Sequence, residues 1–307
     1  MSQFKGTYIF KQNGIEIGKS TNLITTNGRK MILEYLSGAR TNWAADMSIG
    51  ALPTTPTISD TQLNFETARY PVTLKSFISA NSSDPDLIVV RSVLPSELYA
   101  NIYEVGLYAV NNSSFSNSTR NNVILSDFSN LNYWSTSSGT TTTNPFVPQG
   151  LVSPRIGPTS INISQSTTYL NSSLNIGFLH YSNIDSLQLL VSNTTAGTIT
   201  VTLTDISGKQ QSILFTATNN TGYSVLSNLF DQTTSGSNYT AISNFNTIVG
   251  ISISTDSNAS LILDAIKAAS ANELAIEECI VSKSVLSTPI PKNPNIPLDI
   301  EYYVELL

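Results

Sequence analysis

The chain has 307 residues, 40% of them hydrophobic and only 12% charged, with a formal net charge of −6. Ser, Thr and Asn supply 44, 35 and 30 residues. With a normal apolar content this excludes a disordered chain and points to an all-β protein, Thr favouring strands and Ser and Asn favouring turns. The acidic balance argues against nucleic-acid binding, and the absence of a long apolar run argues against membrane insertion. A single cysteine, Cys279, and a single histidine, His180, argue against an intrachain disulfide and a multi-histidine zinc site.

In chain order, TYIF (7–10), the pair Asn13-Gly14 and IEIGKSTNLI (15–24) predict a hairpin. The opening MSQFKGTYIFKQNG has no apolar stretch of the export-signal kind, so synthesis in the cytoplasm is expected. TTNGRKMILEYLSG (25–38) predicts one short helix, with Asn27 as N-cap, Ile32, Tyr35 and Leu36 on one face and Gly38 as the stop. MSIG (47–50), RYPVTLKSFI (69–78), LIVVRSVL (87–94) and NIYEVGLYAV (101–110) predict strands, with a Pro/Thr/Ser loop over 51–67.

NNSSFSNSTRNN (111–122) has turn formers and no periodicity. Beyond it, short apolar runs recur about every ten residues, the spacing of a sandwich. They include GTITVTLTD (197–205), QSILFTAT (211–218), TIVGISIS (247–254) and ASLILDAIKA (259–268). ECIVSKSVLSTPI (278–290) and IPLDIEYYVELL (296–307) predict two last strands. Two strands are not stable alone, so they are expected to return to the first domain. The expected organisation is a discontinuous β-sandwich (1–115 and 273–307), a linker (116–122) and an inserted jelly-roll sandwich (123–272).

TNGRKMILEYLSG (26–38), LPTTPTISDTQLNFETARYPV (52–72), IYEVGLYA (102–109) and SVLSTPIPKNPNIPLDIEYYVEL (284–306), in that order, resemble tail-fibre and tail-collar proteins of tailed bacteriophages. The resemblance implies a virion protein of the tail tip or baseplate, whose partners are other tail proteins. LSDFSNLNYWST (125–136) and VGISISTDSNASLILDAI (249–266), the latter carrying Leu261, Leu263, Asp264 and Ile266, resemble the opening and closing strands of a jelly-roll carbohydrate-binding module. That second resemblance implies host-surface glycan as a partner. Several copies would add avidity to weak sugar contacts, so a cyclic homo-oligomer is expected.

Sugar binding needs an aromatic platform and a few fixed polar groups. Tyr133, Trp134, Tyr223 and Tyr239 fall in loop-like stretches and are the candidates. The alternative for Trp134 is a cap on the sandwich core. Asp127 and Asp264 lie near the first and last strands of the insert. In modules of this kind such residues can hold a structural Ca²⁺; the alternative is two unrelated polar residues.

The runs between 123 and 272 offer Asp127, Asp185, Asp205, Asp231, Asp256 and Asp264, with no pairing visible in sequence, as a glycosidase would require. No nucleophile-elbow, zincin or phosphate-loop pattern is present. His180 falls in an apolar strand pattern, and Cys279, beside Glu277 and Glu278, reads as a small core residue. A non-enzymatic protein is expected.

Overall fold

The computed structural model describes residues 4–78, 86–109, 122–128, 134–136, 156, 160–164, 168–171, 176–177, 186–230, 247–256, 258–269 and 279–306. Its strands, in chain order, begin with β1 (Phe4–Gln12), β2 (Ile15–Thr21) and β3 (Leu23–Ile24), followed by helix α1 (Thr26–Leu36). Next come β4 (Asp46–Gly50), β5 (Glu66–Ile78), β6 (Leu87–Leu94), β7 (Ala100–Tyr108), β8 (Asn122–Ser126), β9 (Trp134–Thr136) and β10 (Ile161–Ser164). Then follow β11 (Thr168–Asn171), β12 (Ile176–Gly177), β13 (Ser186–Ser192), β14 (Gly197–Asp205), β15 (Gln210–Ala217) and β16 (Ser224–Leu229). The last are β17 (Thr247–Thr255), β18 (Ser260–Ala269), β19 (Ile280–Lys292) and β20 (Leu298–Leu306). Among the described residues the protein is all-β apart from that helix. It divides into two compact units, Met1–Ser116 with Glu273–Leu307, and Asn117–Asn272.

The first unit is an antiparallel sheet in the order β2-β1-β20-β6-β5-β4-β7-β19-β3, folded on itself. Strand β5 is the fold line: Glu66–Pro71 pairs with β4, and Val72–Ile78 with β6. Tyr8, Phe10, Val90 and Ile300 from one half meet Met47, Ile49, Val105 and Val281 from the other in one core. The Tyr8 hydroxyl crosses that core to Ser282 Oγ at 2.6 Å. In β20, Ile300, Tyr302 and Val304 are buried. The alternate residues Glu301 and Asp299 face outward to Lys11 at 2.7 Å and Arg91 at 2.8 Å. At the β1–β2 turn, Asn13 (φ 51°) and Gly14 (φ 77°) supply the two positive φ angles that a type I′ hairpin needs.

The helix differs from the expectation in two respects. Its N-cap is Thr25, not Asn27: the Thr25 hydroxyl accepts from Gly28 N at 2.9 Å and donates to Ile280 O at 2.6 Å. The face packed inward carries Gly28, Met31 and Ile32, while Tyr35 and Leu36 are exposed. Gly28 decides the rotation. A Cβ there would stand 1.9 Å from Val281 O, so only glycine lets the helix lie this close to β19.

Strand β7 is buried on both faces because the 51–65 loop covers one of them. Glu104, fully buried, accepts from Phe65 N at 2.9 Å and Asn64 N at 3.1 Å. Lys283 lies 3.5 Å from Glu104 and 3.0 Å from Asp60. Tyr108 Oη accepts from Leu63 N at 3.2 Å, and its ring carries the Arg69 guanidinium at 3.6 Å. Arg69 in turn forks onto Glu66 at 2.8 and 2.7 Å. Apart from Lys283, these residues belong to the stretches 52–72 and 102–109, so the motif pair reads physically as a loop and most of the charges that fasten it.

The second unit is a sandwich of two antiparallel sheets. One has the order β10-β18-β13-β16 with β8 also on β18; the other runs β15-β14-β17-β11-β9 with β12 on β17. Leu187, Leu189, Val191, Leu263 and Ile266 from the first sheet pack against Ile199, Val201, Leu203, Ile251 and Ile253 from the second. The chain enters and leaves this unit on neighbouring strands, Asn122 opposite Ala269. In the first unit the strands on either side of the insertion are also neighbours, Tyr108 opposite Ile280. Each unit is therefore closed in itself.

Candidate functional site

Three connections of the inserted sandwich meet at one end: β13 to β14, β15 to β16, and β17 to β18. Thr194 and Asn220 exchange backbone hydrogen bonds at 2.8 and 3.0 Å, joining the first connection to the second. Asn219 Oδ1 accepts from Ala196 N at 2.8 Å. The Thr195 hydroxyl donates to Asn258 O at 2.9 Å and accepts from Ser260 N at 2.7 Å, joining the first connection to the third.

Asp256 organises the third connection. It accepts from Thr198 N at 2.7 Å, Ala259 N at 2.8 Å and Asn258 N at 2.9 Å. These backbone donors hold its carboxyl below the usual carboxylate range. Asn, Thr and Asp suit such turns because their short side chains bond nearby backbone. The loops are thus tied to one another and to the strand ends.

Tyr223 enters β16 beside this cluster and is half-buried. Ser224 pairs with Val191, which sets Tyr223 next to Ser192 across the β13–β16 pair. Ser192 is almost fully buried and its hydroxyl makes no hydrogen bond. Register places Tyr223, Ser192 and Leu190 on the side of the five-stranded sheet opposite the core residues Leu189 and Val191. The end offers a half-buried aromatic ring and the exposed amides of Asn219 and Asn258.

The other expected site residues fare differently. Trp134 is a core residue at 9% exposure, its ring 5.0 Å from that of Phe128. Its place in that core cluster is the one the capping alternative describes. Tyr133, Tyr239 and His180 lie outside the described residues. Cys279 is buried in the core of the first unit.

Asp127 follows β8, and Asp264 is fully buried in β18, the strand β8 pairs with, Ser126 standing opposite Ile266. Calcium takes six to eight oxygen ligands, and no group of three or more His, Cys, Asp or Glu among the described residues could hold a metal.

Of the carboxylates weighed for glycan cleavage, Asp205 and Asp256 are engaged in turns. Asp205 accepts from Ser207 N at 2.9 Å and Lys209 N at 2.8 Å, closing the β14–β15 hairpin. Burial alone would raise its carboxyl; the Ser207 and Lys209 donors hold it below the usual range. Sequence reasoning passed over Asn219, Asn220 and Asn258. Their signal was the run of turn formers TNNTG (218–222) and DSNAS (256–260), which a chain this rich in Asn, Ser and Thr hides.

No protein-family model matches the chain, and no curated protein does. Among solved structures it is similar to the family 11 carbohydrate-binding module of the cellulosomal cellulase Lic26A-Cel5E of Clostridium thermocellum. That likeness has 12% identity and a TM-score of 0.35, covering 50% of this chain and 96% of that one. It is similar also to a module of Clostridium stercorarium, CsCBM6-3, solved with cellobiose: 14% identity, TM-score 0.29, 45% of this chain and 93% of that one. A third similarity is to the enzymatically active domain of tailspike protein 4 of bacteriophage CBA120: 18% identity, TM-score 0.28, 50% of this chain and 21% of that one.

Proposed function

We propose that this chain is a structural protein of a tailed-phage virion, held in the tail by the sandwich of its chain ends, and that the inserted sandwich binds host-surface glycan through the Tyr223 end. The observation that carries the glycan reading is the half-buried Tyr223 beside three mutually bonded loops. A pyranose presents an apolar C–H face that stacks on an aromatic ring, and equatorial hydroxyls that exchange hydrogen bonds with fixed amides. Tyr223 supplies the ring. Asn219 and Asn258 supply amides whose backbones are already fixed, so little ordering entropy opposes binding.

The tail reading rests on the motif stretches at the two chain ends. They supply nearly all of the loop of 51–65 and, with Lys283 just before the last stretch, the Glu104–Lys283–Asp60 cluster that holds it. The reading includes a cyclic homo-oligomer, because several weak sugar sites on one particle raise the effective concentration.

Excision tests both halves at once. Residues 110–278 are replaced by an Asn-Gly turn, which the pairing of Tyr108 with Ile280 permits. The shortened protein is expected to fold and enter particles, while particles carrying it lose adsorption to host cells. Normal adsorption by such particles would overturn the glycan half, and a folded protein absent from particles made with it would overturn the tail half.

A further inference from the structure

We infer that Lys283 and Asp60 condense into an intramolecular isopeptide bond, with Glu104 carrying the protons, so that the loop ahead of the insertion is covalently tied to β19 behind it. The Lys283 ammonium, 1% exposed, lies 3.0 Å from Asp60 Oδ2 and 3.5 Å from Glu104 Oε2. A lysine amine, a carboxyl to receive it and a second, buried carboxyl in touch with the amine are the parts this reaction needs.

The strand register makes room for the lysine. On β7 the residues that meet the 51–65 loop are Glu104, Gly106 and Tyr108. Lys283 stands opposite Gly106, where a Cβ would lie 2.3 Å from Ile280 and 3.1 Å from Leu63. Leu63, Tyr108 and Ile280 form a buried apolar cluster on this face, which keeps water from it.

Asp60 is held independently of Lys283. Thr57 Oγ1 donates to Asp60 Oδ1 at 2.5 Å, and Thr57 N to Oδ2 at 3.2 Å. On either side of Asp60, Ile58 O accepts from Thr26 N and Thr61 O from Ile280 N, both at 2.8 Å. Reactants fixed in this way reach effective concentrations of about 10⁵–10⁸ M. Burial raises the Glu104 carboxyl, against the pull of Lys283 and of the Phe65 and Asn64 N–H groups. It therefore takes up and returns a proton more readily than an exposed carboxylate.

The reaction balances without an oxidant or a co-reactant. Glu104 takes one proton from the ammonium and passes it to an Asp60 oxygen. The Nζ lone pair then bonds to Asp60 Cγ. Glu104 takes a second proton from Nζ and gives it to the same oxygen, and the Cγ–O bond breaks to release water. The third proton stays on the amide nitrogen, and Glu104 ends as it began. The buried ammonium is discharged, which removes the cost of holding it away from water.

The test is the mass of the full chain, measured in denaturant, beside Asp60→Ala and Glu104→Gln. Thermal unfolding checks that each folds. The wild type is expected to be one water lighter than its sequence, and each variant to have its full sequence mass. In a tryptic digest the peptide holding residue 60 should be joined to one running through Lys283, where trypsin no longer cuts. A site-specific protease sequence placed within 111–122 gives a second readout. After cleavage the two pieces should stay together in a reducing, denaturing gel, and separate in Asp60→Ala. The chain has one cysteine, so no disulfide within it can join them. A folded wild type at its full sequence mass would overturn the inference. So would a water lost elsewhere in the chain, a cross-link surviving in Asp60→Ala, or equal condensation in a folded Glu104→Gln. If Glu104→Gln does not fold, the wild-type and Asp60→Ala masses decide.

Discussion

The sandwich of the chain ends buries Glu104, Lys283, Glu66 and Arg69 around one covering loop, whereas the cluster between the two sheets of the inserted sandwich is aliphatic and aromatic and the buried charges Asp264 and Lys267 both lie on β18. The difference follows from what each must hold. In the first unit a loop without regular structure, 51–65, covers β7, and its backbone needs partners where water is excluded. Glu104 supplies two of them, and Lys283 neutralises Glu104 while reaching Asp60 on the same loop. In the second unit two regular sheets satisfy their own backbone; Asp205 and Asp256 sit in turns, and Asp264 is buried within β18 and fastens no covering loop among the described residues. A buried ion pair is weak evidence of net stability; here it sets where a loop lies.

Substitutions sharpen this contrast, provided each unit's unfolding is followed separately. The largest effect is expected for Glu104→Ala. It leaves Lys283 with Asp60 alone and two loop N–H groups without an acceptor, costing the first unit about 3–5 kcal/mol. Chemical denaturation should show the second unit unmoved. Leu203→Ala should do the converse, costing the inserted sandwich about 2–5 kcal/mol through a core cavity. If either variant shifted both transitions equally, the two units would be one cooperative body.

Gly28→Ala comes next. The added Cβ meets the Val281 carbonyl, so the helix must lift from β19, at about 1–3 kcal/mol. Thermal unfolding of the first unit reads the loss. Asp299→Ala, which removes the half-buried partner of the exposed Arg91 guanidinium, should cost about 1 kcal/mol or less.

Acid separates the units more gently. Backbone donors lower the carboxyl of Asp256, and donors from Ser207 and Lys209 outweigh burial to lower that of Asp205. A lowered folded value contributes stability above the unfolded value, about 3.9, and loses it as pH falls through the folded value. The inserted sandwich should therefore weaken only below about pH 4. In the first unit the contributions oppose. Asp60 is lowered, the Thr57 and Lys283 bonds outweighing burial, while burial raises Glu104 despite Lys283. A raised carboxyl gains stability as pH falls, so Glu104→Gln should steepen the acid limb of the first unit. An unchanged slope would show that Glu104 titrates alike folded and unfolded.

Strand positions were legible wherever one face of a strand meets the core and the other meets water. TITVTLTD alternates without a break and is β14, and the alternation at 299–306 is β20. The Asn13-Gly14 hairpin was legible because turn type dictates residue type. The helix face was not. Its rotation depends on the approach of Gly28 to a backbone more than two hundred residues later. Strand β16 was hidden because it lies at a sheet edge, where its burial shows no clean alternation. Glu104 looked like one member of an alternating strand, and only the covering loop makes it an internal charge. At the candidate site, Tyr223 was legible as an aromatic in a loop. The bonds among Thr194, Thr195, Asn219 and Asn258 were not, since they join residues far apart in sequence.

The most direct test of the account is binding of the full-length protein to an array of host-surface glycans and to intact host cells, beside its Tyr223→Ala variant. The account predicts saturable binding to at least one glycan by the wild type, lost or weakened at least tenfold in a variant that unfolds at the wild-type temperature. Equal binding by the two proteins, or none by a wild type multimerised to restore avidity, would contradict the assignment of the Tyr223 end as a glycan site.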